Sequence, residues 1–435
     1  MARADAIRRL PLPPWSPADL AGALGVGPVA LLDGLTWQGR RVALVAWAPT
    51  ARVGSIREAC KAAGRVTLPP DAPPLLGAAV GRLDWDGQGR FWTPGSAALF
   101  DRERGELWVR GELPDAALPA PSADVAPAAP PGSRPPAVGT ASAGDAANTT
   151  PPAKAVPLWP YPAYAGAVRE ALAAMAAGRL TKVILSVPFA APCSLPPLAI
   201  YRRLTAGDPP GLGFLLHGGP GGETLVGLSP EPLVMLEGRR ARMHLLAGTR
   251  PRGREAELAA SRKDREEHAV AVEQARRDLL TACEPGSVAV DAFMELEPHP
   301  GLVHLASRLS GTLRPGTTPA DLVDACFPAS TVGGIPRAEA RALIDRLEPV
   351  PRGWYAGAVG AVLPGGDLQL WLTIRSLALQ GGTVLVRAGA GLVPGSDPAA
   401  EWQECMAKAQ RPLSAAGALL PPFEEVIAGD DARRP

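Results

Sequence analysis

Apolar positions along the chain follow two alternating rhythms. Short apolar runs bounded by turn residues predict strands at 42–49 ("VALVAWAP"), around Phe91 ("GRFWTP") and at 105–111 ("GELWVRG"). Beyond residue 160 the pattern is denser. Helical spacing of apolar and small residues covers 164–178, and the run "KVILSVPF" predicts a strand at 182–189. Further strands are predicted at 213–216, 233–236, 356–363, 368–376 and 383–386. Amphipathic helices are predicted at 264–280 and 338–348, and a last one begins after Ser396-Asp397-Pro398, where a capping residue precedes proline. No repeat is found. The expected class is α+β, with large, mostly antiparallel sheets packed with helices.

One stretch breaks both rhythms. Residues 114–157 hold eleven prolines among Ala, Ser, Gly and Thr, with almost no large apolar side chain. Such a segment buries too little surface to offset its ordering entropy, so a disordered linker is expected. It separates a β-rich region, 1–113, from a main domain, 158–415, and 416–435 is expected to be a flexible tail. Composition then narrows the function. With 44 basic and 43 acidic residues in 435, the chain lacks the basic excess of a nucleic-acid binder. No apolar run reaches the ~18 residues of a membrane helix, and no apolar signal core follows Met1. Five scattered cysteines without a CxxC pair suggest a reducing compartment, hence the cytoplasm.

The candidate chemistry sits on two acidic helices. Asp264 and Glu267 lie three apart, as do Glu401 and Glu404, with Lys408 four further on. Residues at i, i+3 and i+4 share a helix face, so each helix presents two carboxylates in one direction. If the helices face each other, four oxygen donors converge, a set that suits Mg²⁺. Either helix alone is equally what a solvated acidic face looks like. The glycine run 388–398, "AGAGLVPGSDP", reads as a loop whose N–H groups approach an anion at a helix N-terminus. Arg375, ending "LTIR", and Tyr355 in "RGWYAGAVG" form a possible grip on a second carboxylate.

Taken in order, these segments resemble the chorismate-utilising enzymes, which include isochorismate, salicylate, anthranilate and aminodeoxychorismate synthases. The resemblance is carried by "KVILS" at Lys182, "GLSPEPLV" around Glu231, "LLAGTRPRG", "KDREEH", "VHLASRLSGTL" with His304, "FPASTVGGIPRAEA", "RGWYAGAVG", "LTIRS", "AGAGLVPGSDPAAEW" and "EWQECMAK". It spans about 158–410 and implies the chorismate-binding, anthranilate synthase component I-like fold, in which the N-terminal region takes part. It implies Mg²⁺ on Asp264, Glu267, Glu401 and Glu404. It also implies that Arg375 and Tyr355 hold the enolpyruvyl carboxylate, that Lys408, Gly389 and Gly391 serve the ring carboxylate, and that His304 and Thr331 touch substrate.

Members of the family differ in the nucleophile that enters the ring. Lysine at the position of Lys182 is typical of water-using members, and glutamine of anthranilate synthases. Lys182 is thus expected to activate water, and Glu231 to protonate the departing 4-hydroxyl. Ala247 stands where aminodeoxychorismate synthases carry a nucleophilic lysine, which disfavours that route. Thr331 points towards salicylate or anthranilate synthases, Val187 replaces a common arginine, and Asp264, as in menaquinone- or siderophore-type isochorismate synthases, is shorter than the glutamate of salicylate synthases. The expectation is an isochorismate synthase, monomeric and without an amidotransferase partner. Salicylate synthase, then anthranilate synthase component I, then a non-catalytic chorismate binder are the alternatives.

Overall fold

Among the described residues one large antiparallel sheet draws strands from both the N-terminal region and the later chain. The structure is a computed structural model; it describes residues 7–24, 27–113, 152–207, 210–218, 222–299 and 302–431. The N-terminal strands that join the rest of the sheet are β1 (Val29–Trp37), β2 (Arg40–Val53), β3 (Ala79–Leu83) and β4 (Gly89–Asp101). After the proline-rich stretch come α1 (Tyr161–Ala176), β5 (Lys182–Pro192), β6 (Leu212–His217), β7 (Thr224–Ser229), β8 (Pro232–Glu237), β9 (Arg240–Pro251) and α2 (Arg262–Ala282). The chain continues with β10 (Leu302–Thr312), α3 (Arg337–Leu347), β11 (Ala358–Val362), β12 (Leu368–Leu372), β13 (Ser376–Gln380), β14 (Thr383–Leu392) and α4 (Pro398–Ala415).

Hydrogen-bonded neighbours run β10–β9–β8–β12–β11, then β3–β4–β2–β1, then β6–β7–β13–β14–β5. The N-terminal strands therefore sit in the middle and join two groups of strands made by the later chain. This is the α+β antiparallel architecture that the sequence pattern predicts. The N-terminal region lies inside the same sheet because its strand edges are needed to pair β11 and β6.

The crossing between the two groups places the chemistry. β7 and β8 are consecutive but belong to different groups, as do β12 and β13. Both connections turn the same corner: Leu372 N donates to Glu231 O at 3.0 Å, and Leu228 N to Arg375 O at 3.3 Å. The single strand predicted at 368–376 is accordingly broken at 373–375, where Arg375 takes φ 50°. A bulky residue in this left-handed region is strained by roughly 1–3 kcal/mol, so the corner is held by its surroundings.

Helices cover the sheet with apolar faces. Trp402 of α4 is fully buried and meets Tyr164 of α1 edge to face, with ring centroids 5.0 Å apart. Asp397 caps α4 by accepting from Ala400 N at 2.9 Å, ahead of Pro398 as expected. The expected linker lies outside the described residues over 114–151. Its last residues are paired: Ala153–Lys154 runs parallel to Ala418–Leu419, and Val156–Pro157 joins β5. The segment expected to be a tail thus holds a strand, followed by a helix at Phe423–Asp431. Composition alone hid this, because short strands need backbone partners more than apolar side chains.

Candidate active site

Lys182 opens β5, with its side chain 3% exposed and Nζ 2.9 Å from Glu267 Oε1. Burial raises the Glu267 carboxyl, but the charge and hydrogen bond of Lys182, with Lys408 and Lys263 behind, hold it below its ordinary value. Gly391 lies across from Ile184 in the β14–β5 register. A Cβ there would stand 2.5 Å from Glu267 Oε1 and 3.5 Å from Lys182 Cε. Gly389 is the same device one pair along, where a Cβ would meet Tyr355 Oη at 2.9 Å. This corrects the expected glycine loop. Both glycines are strand residues whose missing side chains make room for Lys182, Glu267 and Tyr355. Gly391→Ala is expected to keep the fold, since the clash is with a flexible carboxylate end. It should still lower kcat by about 10²-fold by displacing the Lys182–Glu267 pair, with only a small fall in Tm.

Glu231 sits at the corner, buried, and burial pushes its carboxyl up to about 7 against the opposing pull of Thr331, Lys182 and Lys408. Thr331 lies close enough to lower that carboxyl, yet its buried Oγ1 makes no hydrogen bond of acceptable geometry. Lys408 Nζ donates to Glu404 Oε1 at 2.6 Å and to the Gly389 carbonyl at 2.9 Å. Among the described residues the Arg375 guanidinium has no hydrogen-bond or ion-pair partner; burial lowers it, and Tyr355 and Glu404 act to raise it. A half-buried, unpaired guanidinium is a ready anion site. Burial pushes the neighbouring Tyr355 phenol far up, so it stays a donor. His304 on β10 is pushed down to about 4 by burial and then by the charges of His299 and Arg375, so it is neutral near pH 7. Its Nδ1 lies 3.0 Å from Thr249 Oγ1 and 3.3 Å from the Gly248 carbonyl.

The four acidic residues come from the first two turns of α2 and α4 and flank this site. Each is matched with a cation: Asp264 with Arg250 at 2.8 Å, Glu267 with Lys182, Glu401 with Lys263 at 3.0 Å and Glu404 with Lys408. Among the described residues no three acidic, histidine or cysteine side chains converge as a ligand set. The expected convergence of four donors is thus replaced by four ion pairs, because bare carboxylates repel and each turns to the nearest basic group. The donors still fit Mg²⁺. All are hard oxygens, and the second oxygen of Glu401, on a side chain 1% exposed, is buried with no partner.

A buried network beneath the site was not singled out in the sequence. Glu348 accepts from Ser186 N at 2.8 Å, Arg352 Nη2 at 2.7 Å and Arg387 Nη1 at 2.6 Å. Arg352 also donates to the carbonyls of Ile184 and Val332, each at 2.7 Å. It thereby ties the Lys182 strand to the Thr331 loop. Val187, where the resemblance expects arginine, packs fully buried, and Arg387 from β14 braces the strand instead. Arg352 stands three residues before Tyr355 in "RGWYAGAVG"; a charged residue ahead of a buried aromatic was the available signal. A separate cavity of about 400 Å³, lined by Arg41, Met235, His244, Arg308 and Trp371 among others, includes none of the candidate residues.

The sequence profile of the chorismate binding enzymes matches residues 74–414. The chain belongs to this family. Curated relatives include anthranilate synthase component 1 of Arthrobacter globiformis, 38% identical over 268 residues, which are 59% of this chain and 50% of that protein. The same component of Streptomyces coelicolor is 39% identical over 249 residues, 55% of this chain and 48% of that protein. This chorismate binding enzyme spans about half the length of those relatives. Two solved structures share its fold. One is the menaquinone-specific isochorismate synthase of Escherichia coli, with TM-score 0.72 and 21% identity, covering 95% of each chain. The other is anthranilate synthase component I of Streptococcus pneumoniae, with TM-score 0.72 and 23% identity, covering 87% of this chain and 93% of that one.

Proposed function

We propose that the protein is an Mg²⁺-dependent isochorismate synthase. The observation that carries this reading is the presence together of a buried lysine, Lys182, and a buried carboxyl, Glu231, that burial raises to about 7 and that feels the lysine's charge. Lys182, once it has released its ammonium proton to solvent, takes a proton from water as the oxygen bonds to C2 of chorismate. Both ring double bonds shift, C1=C2 to C1=C6 and C5=C6 to C4=C5, the C4–O bond breaks, and the proton of Glu231 leaves with the hydroxyl as water. Arg375 and Tyr355 hold the enolpyruvyl carboxylate, while Lys408 beside Gly389 faces the ring carboxylate. His304 and the free hydroxyl of Thr331 complete the substrate's polar contacts. Asp264, Glu267, Glu401 and Glu404 would hold Mg²⁺, which supplies positive charge for a substrate carboxylate. Water as nucleophile removes the need for an amidotransferase partner. The expected enzyme is a cytoplasmic monomer; among the described residues no helix is long and apolar enough to cross a membrane.

The curated relatives favour a second reading, ammonia addition at C2 leading to anthranilate. One experiment separates them: purified protein, chorismate and Mg²⁺, with products resolved by chromatography and mass. Isochorismate without ammonia is the expected result. Conversion only when ammonia is added overturns it in favour of anthranilate formation. Salicylate with pyruvate overturns isochorismate as the final product, in favour of the salicylate synthase reading that Thr331 favours.

A further inference from the structure

We propose that Lys263 is a built-in counter-cation: it occupies the acidic cluster in the metal-free protein and has to withdraw before a divalent ion enters. The inference rests on reading the cluster as an Mg²⁺ site. Lys263 stands in the first turn of α2, next to Asp264 and one turn before Glu267. Its ammonium reaches across to α4 and sits 3.0 Å from Glu401 Oε1. The side chain it neutralises is 1% exposed. An uncompensated carboxylate so deep is costly, and Lys263 is the cation that offsets it.

The match is incomplete in a telling way. One ammonium satisfies one Glu401 oxygen and leaves the other buried without a partner. A divalent ion with several coordination positions accepts that oxygen and the neighbouring carboxylates together. Lys263 also feels the charges of Glu404 and Glu267, so it lies among the donors of both helices. Of the four cations paired with the acidic residues, Lys263 is the most exposed, at 50%, against 3% for Lys182, 31% for Arg250 and 32% for Lys408. Its ammonium therefore returns to water more readily than the others. The ion pair keeps the cluster folded without metal, and it weakens metal binding by the free energy needed to break it.

The test is titration of the substrate-free protein with MgCl₂ by calorimetry, together with melting curves at 0 and 10 mM Mg²⁺. Lys263→Met keeps the aliphatic stem and removes the charge; Lys263→Gln serves the same purpose should the first fail to fold. The expected result is a Kd for Mg²⁺ at least about tenfold lower than wild type. Without metal, Tm should be lower than wild type, and Mg²⁺ should restore it. Lys263→Arg, which keeps the charge, should bind no more tightly than wild type. Equal or weaker binding by the neutral variants overturns the role of Lys263 while leaving the metal site intact. Absence of Mg²⁺ binding in every protein overturns the metal reading as well.

Discussion

Glu231→Gln is expected to lower kcat at pH 7 by about 10²–10⁴-fold, the usual worth of a positioned general acid. The carboxyl is buried at a corner between two strand groups, and burial raises it to about 7 from an ordinary 4.5. Near neutrality the wild-type protein thus holds a protonated Glu231 that an ordinary carboxyl would have lost. As pH rises above about 7 the proton is lost, and wild-type activity should fall along that limb; the residual activity of the variant should lack it. Stability also falls as pH rises. A folded-state value above the unfolded one means a contribution fully present below about 4.5 and lost as pH rises to about 7. Glutamine carries no such titration. The variant should therefore melt higher than wild type at pH 8 and close to it at pH 4.5. Lower turnover with higher Tm marks a residue kept for chemistry rather than for the fold. An unchanged kcat at pH 7 removes Glu231 from the acid role.

The sequence made the helices and most strands legible because period and capping are local properties. Asp397 before Pro398 announced α4, and the run from Lys182 announced β5. What the sequence could not convey was non-local. The break at 373–375 follows from β12 and β13 pairing with different strand groups, and no run of side chains records that. The glycines of "AGAG" looked like a loop because glycine is common in loops. Their use in a strand is visible only once Glu267 and Tyr355 are seen standing where their Cβ atoms would be. The acidic residues were identifiable from i, i+3 spacing, but their partners were not. Arg250, Lys182 and Lys263 come from other elements or from the other helix. Glu348 read as the end of a helix, and only the fold sets it among Ser186, Arg352 and Arg387.

Lys182→Gln should abolish water-dependent product formation, a loss of about 10²–10⁴-fold or more. Two roles compete for this residue: a base that takes a proton from water, and a fixed charge that holds Glu267 at 2.9 Å. Lys182→Arg separates them. Arginine keeps the positive charge and can still meet the Glu267 carboxylate, but its guanidinium does not give up a proton in the accessible pH range. If Lys182 acts as base, the arginine variant folds and keeps its Mg²⁺ affinity yet makes no isochorismate, as with glutamine. If charge alone matters, the arginine variant retains turnover and only the glutamine variant loses it. Stability adds an independent sign. Glutamine leaves Glu267 with an amide in place of a buried ammonium, so Lys182→Gln should lower Tm, the reverse of Glu231→Gln. The two variants thus lose the same activity through opposite changes in stability. That opposition is expected only if the buried lysine is already paired in the resting protein while the buried acid is kept neutral.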